Sequence, residues 1–351
     1  MAPLTRALAA ALLLCAASAS AKTPARLRVL TFNAAGIPLV HPRIRQRVAA
    51  MGRAFARDEY DIIGLQEVWL QSDSERLAQG SGLPYKARTD AAALTVGTGL
   101  TILSRWPILA VKEREFSALR PSLRNLPQGE PLAHKGFMMA RVKTPWGELD
   151  VYDAHTISDY PSSQYEALRL TQLYDLAEGV LELSSGRPFV ILGDLNTGPG
   201  KRDYELFMAL TGVRDLCRGG GRELCGDPKR PWRIDNIFVP PGRLNAPARR
   251  VLDRPIEGLL PPLNYSDHSG FAADVSPALL SMRAHPNNVR RTAALRTVSE
   301  TMTRMIGRLN ERKRAWIPLY GAYLAARYDR QIAVLAAFRE RAISARAALK
   351  P

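Results

Sequence analysis

Few residues of this chain suit a soft metal or a redox centre. Cysteine occurs 3 times and histidine 5 times in 351 residues, and no cysteine stands near a histidine at zinc-ligand spacing. Beyond the N-terminal region no apolar run is long enough to cross a bilayer as a helix. There is no Gly-x-Ser-x-Gly elbow and no Walker-type phosphate loop, which argues against the commonest serine hydrolases and nucleotide hydrolases. Internal repeats and low-complexity linkers are also missing. Acidic residues are in deficit: 33 Asp and Glu face 49 Lys and Arg, a net charge of +16.

What is present begins with an export signal. Arg6 precedes the apolar run from Ala7 to Ala17, and Ala19-Ser20-Ala21 is a small-residue cleavage site, the pattern of a secretory signal peptide over residues 1–21. Leu14 before Cys15 lacks the small side chain that a lipoprotein signal wants. An exported protein, periplasmic or secreted, is therefore expected, with its mature start near Lys22. Cleavage removes Cys15 and leaves Cys217 and Cys225, close enough across a Gly-rich loop to suggest one disulfide.

The remaining length divides by charge. Residues 277–351 carry 15 Lys and Arg against 4 Asp and Glu, whereas residues 22–276 are nearly balanced. A catalytic-sized domain over 22–276 and a basic extension over 277–351 follow, and the asymmetry points the extension at an anionic partner.

Within the domain, apolar runs stop repeatedly on polar residues. Arg26 to Asn33 alternates like a strand and ends on Asn33. Asp61 to Glu67 ends on a carboxylate. The pair Phe137–Val142 and Leu149–Ala154 reads as a hairpin that delivers His155. Phe189-Val190-Ile191-Leu192 is a buried strand followed by Gly193-Asp194-Leu195-Asn196; residues two apart on a strand share a side, so Asp194 and Asn196 are expected to face one ligand together. An Asx turn is the plain alternative for these two. Asp235 sits in the strand Arg233–Val239, and Asp267-His268 precede Phe271–Val275. Helices are predicted over Pro42–Asp58 and Ser163–Leu183, and Leu119–Pro131 reads as a loop. Many strands with few helices suggest α+β layers.

Such polar residues at strand ends suit metal-assisted phosphoester hydrolysis. Mg²⁺, or Mn²⁺ or another divalent ion in its place, takes oxygen ligands and keeps several waters, so one or two carboxylates suffice. Glu67 is the first choice of ligand, with Asn33 and Asp267 nearby. His268 is the candidate base for an attacking water if Asp235 orients its other nitrogen. Asp194 and Asn196 would position the nucleophile, and His155 would donate to the phosphate. His41 and His285 lie in polar loop-like surroundings without a role.

Thr31-Phe32-Asn33, Leu65-Gln66-Glu67, Ala154-His155-Thr156, Gly193-Asp194-Leu195-Asn196, Ile234-Asp235 and Ser266-Asp267-His268 occur in the order of the endonuclease/exonuclease/phosphatase superfamily, which this sequence resembles from residue 26 to 275. The resemblance implies a four-layer α/β sandwich, two mixed sheets face to face with helices outside. It also implies a Mg²⁺-dependent phosphoesterase with its site at one end, with Asn33 and Glu67 on the metal and Asp235 paired to His268. His134-Lys135-Gly136 resembles the Lys-Gly element of neutral sphingomyelinases and inositol-polyphosphate phosphatases, where the lysine sits by the phosphate. The His155 segment followed by Arg169 and Gln172 is also similar to the sphingomyelinase pattern. A phospholipid head group of sphingomyelin type is the expected substrate. A secreted DNase-like endonuclease is the alternative, and a non-catalytic toxin or binding subunit of this fold a further one. The aromatic hairpin of secreted bacterial sphingomyelinases has no clear equivalent; the apolar loop Leu259–Leu263 could substitute at a membrane or could simply pack.

The resemblance does not reach the extension. Helices are expected from Asn288 to Arg314 and from Pro318, suited to a first turn, to Leu349. Tyr320, Leu324, Tyr328, Ile332, Leu335 and Phe338 recur near helical spacing. Such a basic amphipathic hairpin either lies on an anionic membrane, binds nucleic acid phosphates, or packs its stripe on the domain. No protein partner is inferred.

Overall fold

The computed structural model describes residues 25–37, 41–89, 97–116, 134–159, 163–218, 225–228, 233–242, 247–283 and 286–349, with the side chains of 163–164, 316–324 and 327 excepted. The signal segment, the Leu119–Pro131 loop and the middle of the cysteine loop lie outside these residues. In chain order the strands are β1 (Leu27–Asn33), β2 (Ile62–Gln66), β3 (Tyr85–Arg88), β4 (Thr101–Ser104), β5 (Ile108–Glu115), β6 (Gly136–Thr144), β7 (Gly147–His155), β8 (Phe189–Asp194), β9 (Arg214–Asp215), β10 (Asp235–Val239), β11 (Arg249–Val251) and β12 (Gly270–Val275). The helices are α1 (Ile44–Arg57), α2 (Gln71–Ser81), α3 (Ser163–Ser184), α4 (Arg202–Thr211) and α5 (Asn288–Ala348).

Two six-stranded mixed sheets form, one in the order β11-β12-β1-β2-β4-β3 and the other β5-β6-β7-β8-β10-β9. Each has one parallel pair near its centre, β1 with β2 and β7 with β8. Period-two alternation explains the layers. On β1, Val29 faces the other sheet while Leu30 and Phe32 face α1 and α2. On β8, Val190 and Leu192 face inward while Phe189 and Ile191 face α3 and α4. Three apolar cores therefore separate four layers, as the resemblance implied. Cys217 and Cys225 are joined as a disulfide.

The same alternation builds the polar end. Along the inward face, β1 runs Val29, Thr31, Asn33; β7 runs Val151, Asp153, His155; β8 runs Val190, Leu192, Asp194. Antiparallel β10 enters at that end with Asp235 and then turns apolar with Ile237 and Val239. Parallel strands finish where antiparallel ones begin, so six separate stretches of sequence meet at one edge.

The extension differs from its expected form. Helical backbone runs from Asn288 to Ala348 in one element rather than two. Its path nevertheless doubles back, because Lys313 bonds Asp329, and residues so spaced would stand about 24 Å apart along a straight helix. Arg291 reaches Glu178 of α3 while Phe338 stacks edge-on against Tyr174 of the same helix. Leu295, Val298, Met302, Leu335, Phe338 and Ala342 are buried in the core shared with α3 and α4. From Leu295 to Met302 and from Leu335 to Ala342 the apolar stripe is thus spent on packing, and these stretches do not lie flat on a membrane through it.

Removing residues 277–351 should therefore yield insoluble protein, and Phe338→Ala should cost about 3–5 kcal/mol of unfolding free energy. A soluble truncated domain with an unchanged denaturant midpoint would contradict this packing.

Candidate active site

Asp194 is the centre of the polar end. Its Oδ1 accepts from the backbone N–H of Asn196 at 3.1 Å, so the Asx turn considered from sequence does form. That turn leaves Oδ2 facing the site, where it accepts from Asn33 Nδ2 at 3.0 Å. Burial pushes the Asp194 carboxyl above the usual range, and Asp235 raises it further, while His268, Asn33 and Lys135 pull it back. Asp194 and Asp235 are ladder partners between β8 and β10, which fixes the approach of the two acids.

Strand alternation fails one residue later. β8 ends at Asp194, and Asn196 sits in the turn with a left-handed φ of 50°. Its Nδ2 donates to the Thr156 carbonyl at 2.9 Å, tying the turn to the end of β7. Asn196 is thus brought to the site by the turn and not by the strand.

Glu67 reaches the site against the same alternation. Gln66 is the last inward residue of β2, so Glu67 would face outward on a continued strand. A left-handed φ of 59° redirects it, a conformation that costs a non-glycine residue of order 1–3 kcal/mol. Its Oε1 then accepts from Asn33 Nδ2 at 3.1 Å. The backbone of Gly36 permits the turn: a Cβ there would lie 2.1 Å from the Glu67 carbonyl oxygen.

Asn33 thus wedges its amino group between two carboxylates, while its Oδ1 accepts from the Ala35 N–H at 2.9 Å. Turning the carboxamide over would aim its oxygen at the same space. Two carboxylates sharing one donor form a hard-oxygen set that suits a divalent cation, with Glu67, Asp194 and Asn33 as its holders. Asp194, Asp235 and His268 offer a second grouping whose ligand atoms lie within 4.8 Å of one another. Asp267 is exposed at the rim; Arg47, itself buried, feels both Asp267 and Glu67.

His268 Nδ1 lies 2.9 Å from Asp235 Oδ2. With Nδ1–H donated to that carboxylate, the neutral ring keeps Nε2 as its proton acceptor. Arg233 buttresses the pair from below, bonding the Asp235 carbonyl at 2.7 Å and the buried Asp215 carboxylate. Across the site, Lys135 Nζ donates to His155 Nε2 at 2.8 Å. Burial holds His155 well below the usual imidazole range, with Lys135 and His268 adding to the effect. A neutral His155 that accepts from Lys135 leaves the lysine as the charged donor for a phosphate and makes the histidine its support. His155 Nε2 is also 3.6 Å from Asp194 Oδ2.

Arg169 and Gln172 act one step away. Arg169 bonds Asp203 at 2.5 Å and Asp159 at 3.0 Å, and Asp203 accepts from Thr197; the network anchors the turn after Asn196. Gln172 Oε1 accepts from the Ile157 N–H at 2.8 Å, holding the segment after His155. In the loop Leu259–Leu263, Leu259 and Leu263 pack on the α1 core, while Leu260 is 85% exposed.

A second polar layer lies beneath the site; Thr31 and Gln66 stand within the sequence motifs without an assigned role, and Asp153 stands in none of them. Gln66 Nε2 donates to Asp153 Oδ1 at 2.5 Å and to Thr31 Oγ1 at 3.3 Å. Each of these stands one inward step below or beside a site residue, so the i, i+2 rule applied to His155 and Asn33 would have found Asp153 and Thr31. Burial raises the Asp153 carboxyl well above its ordinary range, only partly opposed by bonds from Gln66 and two backbone N–H groups.

The family model described as Endonuclease/Exonuclease/phosphatase family matches residues 30–268. The chain belongs to that family. Sphingomyelin phosphodiesterase 2 of Homo sapiens is 26% identical over 193 residues, covering 54% of this chain and 45% of the human protein; the match therefore spans less than half of that relative. Among solved structures, sphingomyelinase C from Streptomyces griseocarneus superposes with a TM-score of 0.54 at 19% identity, covering 72% of this chain and 99% of that one. A D. rerio TDP2 complexed with a single-strand DNA product gives 0.55 at 17% identity, covering 72% and 100%. These two likenesses show the shared fold.

Asp153 sets a pH test. A carboxyl whose folded pKa exceeds its unfolded value favours folding at acid pH and loses that contribution as pH rises through the folded value. Asp153→Asn cannot ionise. Its melting temperature should therefore gain on wild type between pH 5 and pH 8; an equal offset at both pH values would show that Asp153 is ionised in the fold.

Proposed function

We propose that this protein is an exported, Mg²⁺-dependent phosphodiesterase that hydrolyses the head-group phosphoester of a sphingomyelin-type phospholipid. The observation that carries the reading is the meeting of the Asp235–His268 pair, the Asp194 carboxylate and the Lys135–His155 pair at one sandwich end. Export is supported by the leader pattern and by the Cys217–Cys225 disulfide, which suits an oxidising compartment.

In this mechanism His268 Nε2 takes a proton from water, and Asp235 holds the ring and stabilises the imidazolium. Asp194, oriented by its Asx turn, fixes the water for in-line attack on phosphorus; the P–O bond to the lipid oxygen breaks on the opposite side, and the leaving oxygen takes a proton from solvent. Lys135 neutralises a phosphoryl oxygen. Glu67, Asp194 and Asn33 would hold a divalent ion, which would supply charge neutralisation at the phosphoryl group. Lipid specificity draws support from the sphingomyelin phosphodiesterase relative and from the His134-Lys135-Gly136 element.

A nuclease is the second reading, favoured by the fold shared with a DNA-bound neighbour. A non-catalytic subunit fits poorly with a site that keeps its acid, base and cation together. With sphingomyelin vesicles and Mg²⁺, purified protein should release phosphocholine. Chelation should abolish release, and His268→Ala should lower it by roughly 10²-fold or more. Nicking of plasmid DNA with lipid untouched would select the nuclease, and full turnover by His268→Ala would remove the base assignment.

A further inference from the structure

The two arms of α5 start and finish at known heights on the sandwich. β12 ends at Val275 opposite Leu27, the far end from the site. There Asn287 and Arg290 line one cavity with Gly212 and Val213, where α4 gives way to β9. The first arm climbs from that end, its buried stripe running from Ala294 to Met305. On the second arm Phe338 is level with Tyr174 of α3. From Phe338 back to Asp329 is about 14 Å of helix, and from Tyr174 back to Ser163 about 17 Å. The Lys313–Asp329 pair thus stands near the first turn of α3, and the chain between them extends further the same way.

α3 begins at the site end, shortly after β7 delivers His155. The reversal of the α5 hairpin therefore stands beside the catalytic end and not at the opposite pole. It is also basic: from Arg308 to Arg330 six Lys and Arg face two acids. Arg308, Arg312, Arg314 and Arg330 are exposed.

We infer that this end of the hairpin is a docking tip for an anionic phospholipid surface, which brings the catalytic end to the bilayer. Clustered cations at such a surface are drawn by its negative potential. Nucleic acid would satisfy the charge alone. The sequence of the reversal, Trp316-Ile317-Pro318-Leu319-Tyr320 with Tyr323 and Leu324, adds the aromatic and aliphatic types that enrich membrane–water interfaces, and it favours lipid. Capture of the bilayer does not depend on the proposed reaction; only its effect on turnover rests on that reading.

The test compares full-length protein with an Arg308→Glu/Arg312→Glu/Arg314→Glu/Arg330→Glu variant. Co-sedimentation uses vesicles of phosphatidylcholine with 30% phosphatidylserine, at ~0.1 M salt, without Mg²⁺ so that no turnover occurs. The tip predicts wild-type binding and a loss of about 100-fold or more in the variant. It also predicts unchanged binding for a control carrying Arg53→Glu, Arg57→Glu, Arg187→Glu and Arg290→Glu, all exposed and away from the tip. If the proposed reaction is correct, the tip variant keeps its rate on a water-soluble phosphodiester and loses rate on anionic sphingomyelin vesicles. Absence of wild-type binding, equal loss in the control, or binding to duplex DNA but not to vesicles would overturn the tip. Failure of both proteins to hydrolyse either substrate would instead overturn the reaction and leave the binding result standing.

Discussion

Asp194 is a buried carboxylate placed against a second buried acid, and the rest of the site depends on how that charge is balanced. Asp235 faces it across a ladder, and neither acid can be moved without moving a strand. Three partners share the compensation: Asn33 from the opposite sheet, His268 from the start of β12, and Lys135 from beside β6. Each comes from a different stretch of sequence. The cost of burying charge without a partner is several kcal/mol, so the arrangement holds only when both sheets are closed on one another. The same excess of negative charge gives a divalent cation a reason to bind.

The sheets meet that demand through one rule applied on several strands. Inward positions are apolar at the far end and polar at the site end, so a dry core grades into a polar edge. Because β1, β2, β7 and β8 end there and β10 and β12 begin there, the groups sit on well-supported strand ends. Helices on the outside do a different job. α3 carries both Arg169, bonded to Asp203 of α4, and Gln172, which hold the turns after Asn196 and His155, and α3 and α4 receive the two arms of α5.

Much of this was legible from the residues. The order of strand-end motifs carries the resemblance that implies the layers and the Asp235–His268 pair, and the spacing of two cysteines suggests the disulfide. Where the reading fell short, local geometry had overridden a periodic rule. Asn196 and Glu67 both take left-handed backbone, which no alternation pattern anticipates, and Gly36 is the permissive residue behind the second. Asp153 lies within β7 and not at its end, on the same face as His155, so a pattern of polar strand ends does not mark it. α2 is short and largely polar, α4 is only ten residues long, and β3, β9 and β11 have two to four residues, too few for a periodicity to register. The reversal within α5 was read correctly in kind but placed as a break, since Pro318 signals a helix start while helical backbone in fact continues through it.

The central claim is that Glu67, Asp194 and Asn33 form a cation site whose charge balance organises the catalytic end. Calorimetric titration of the purified full chain with Mn²⁺, free of substrate, tests it most directly. The account predicts saturable binding in the wild type that weakens at least tenfold in both Glu67→Gln and Asp194→Asn. Equal affinity in all three proteins would contradict it.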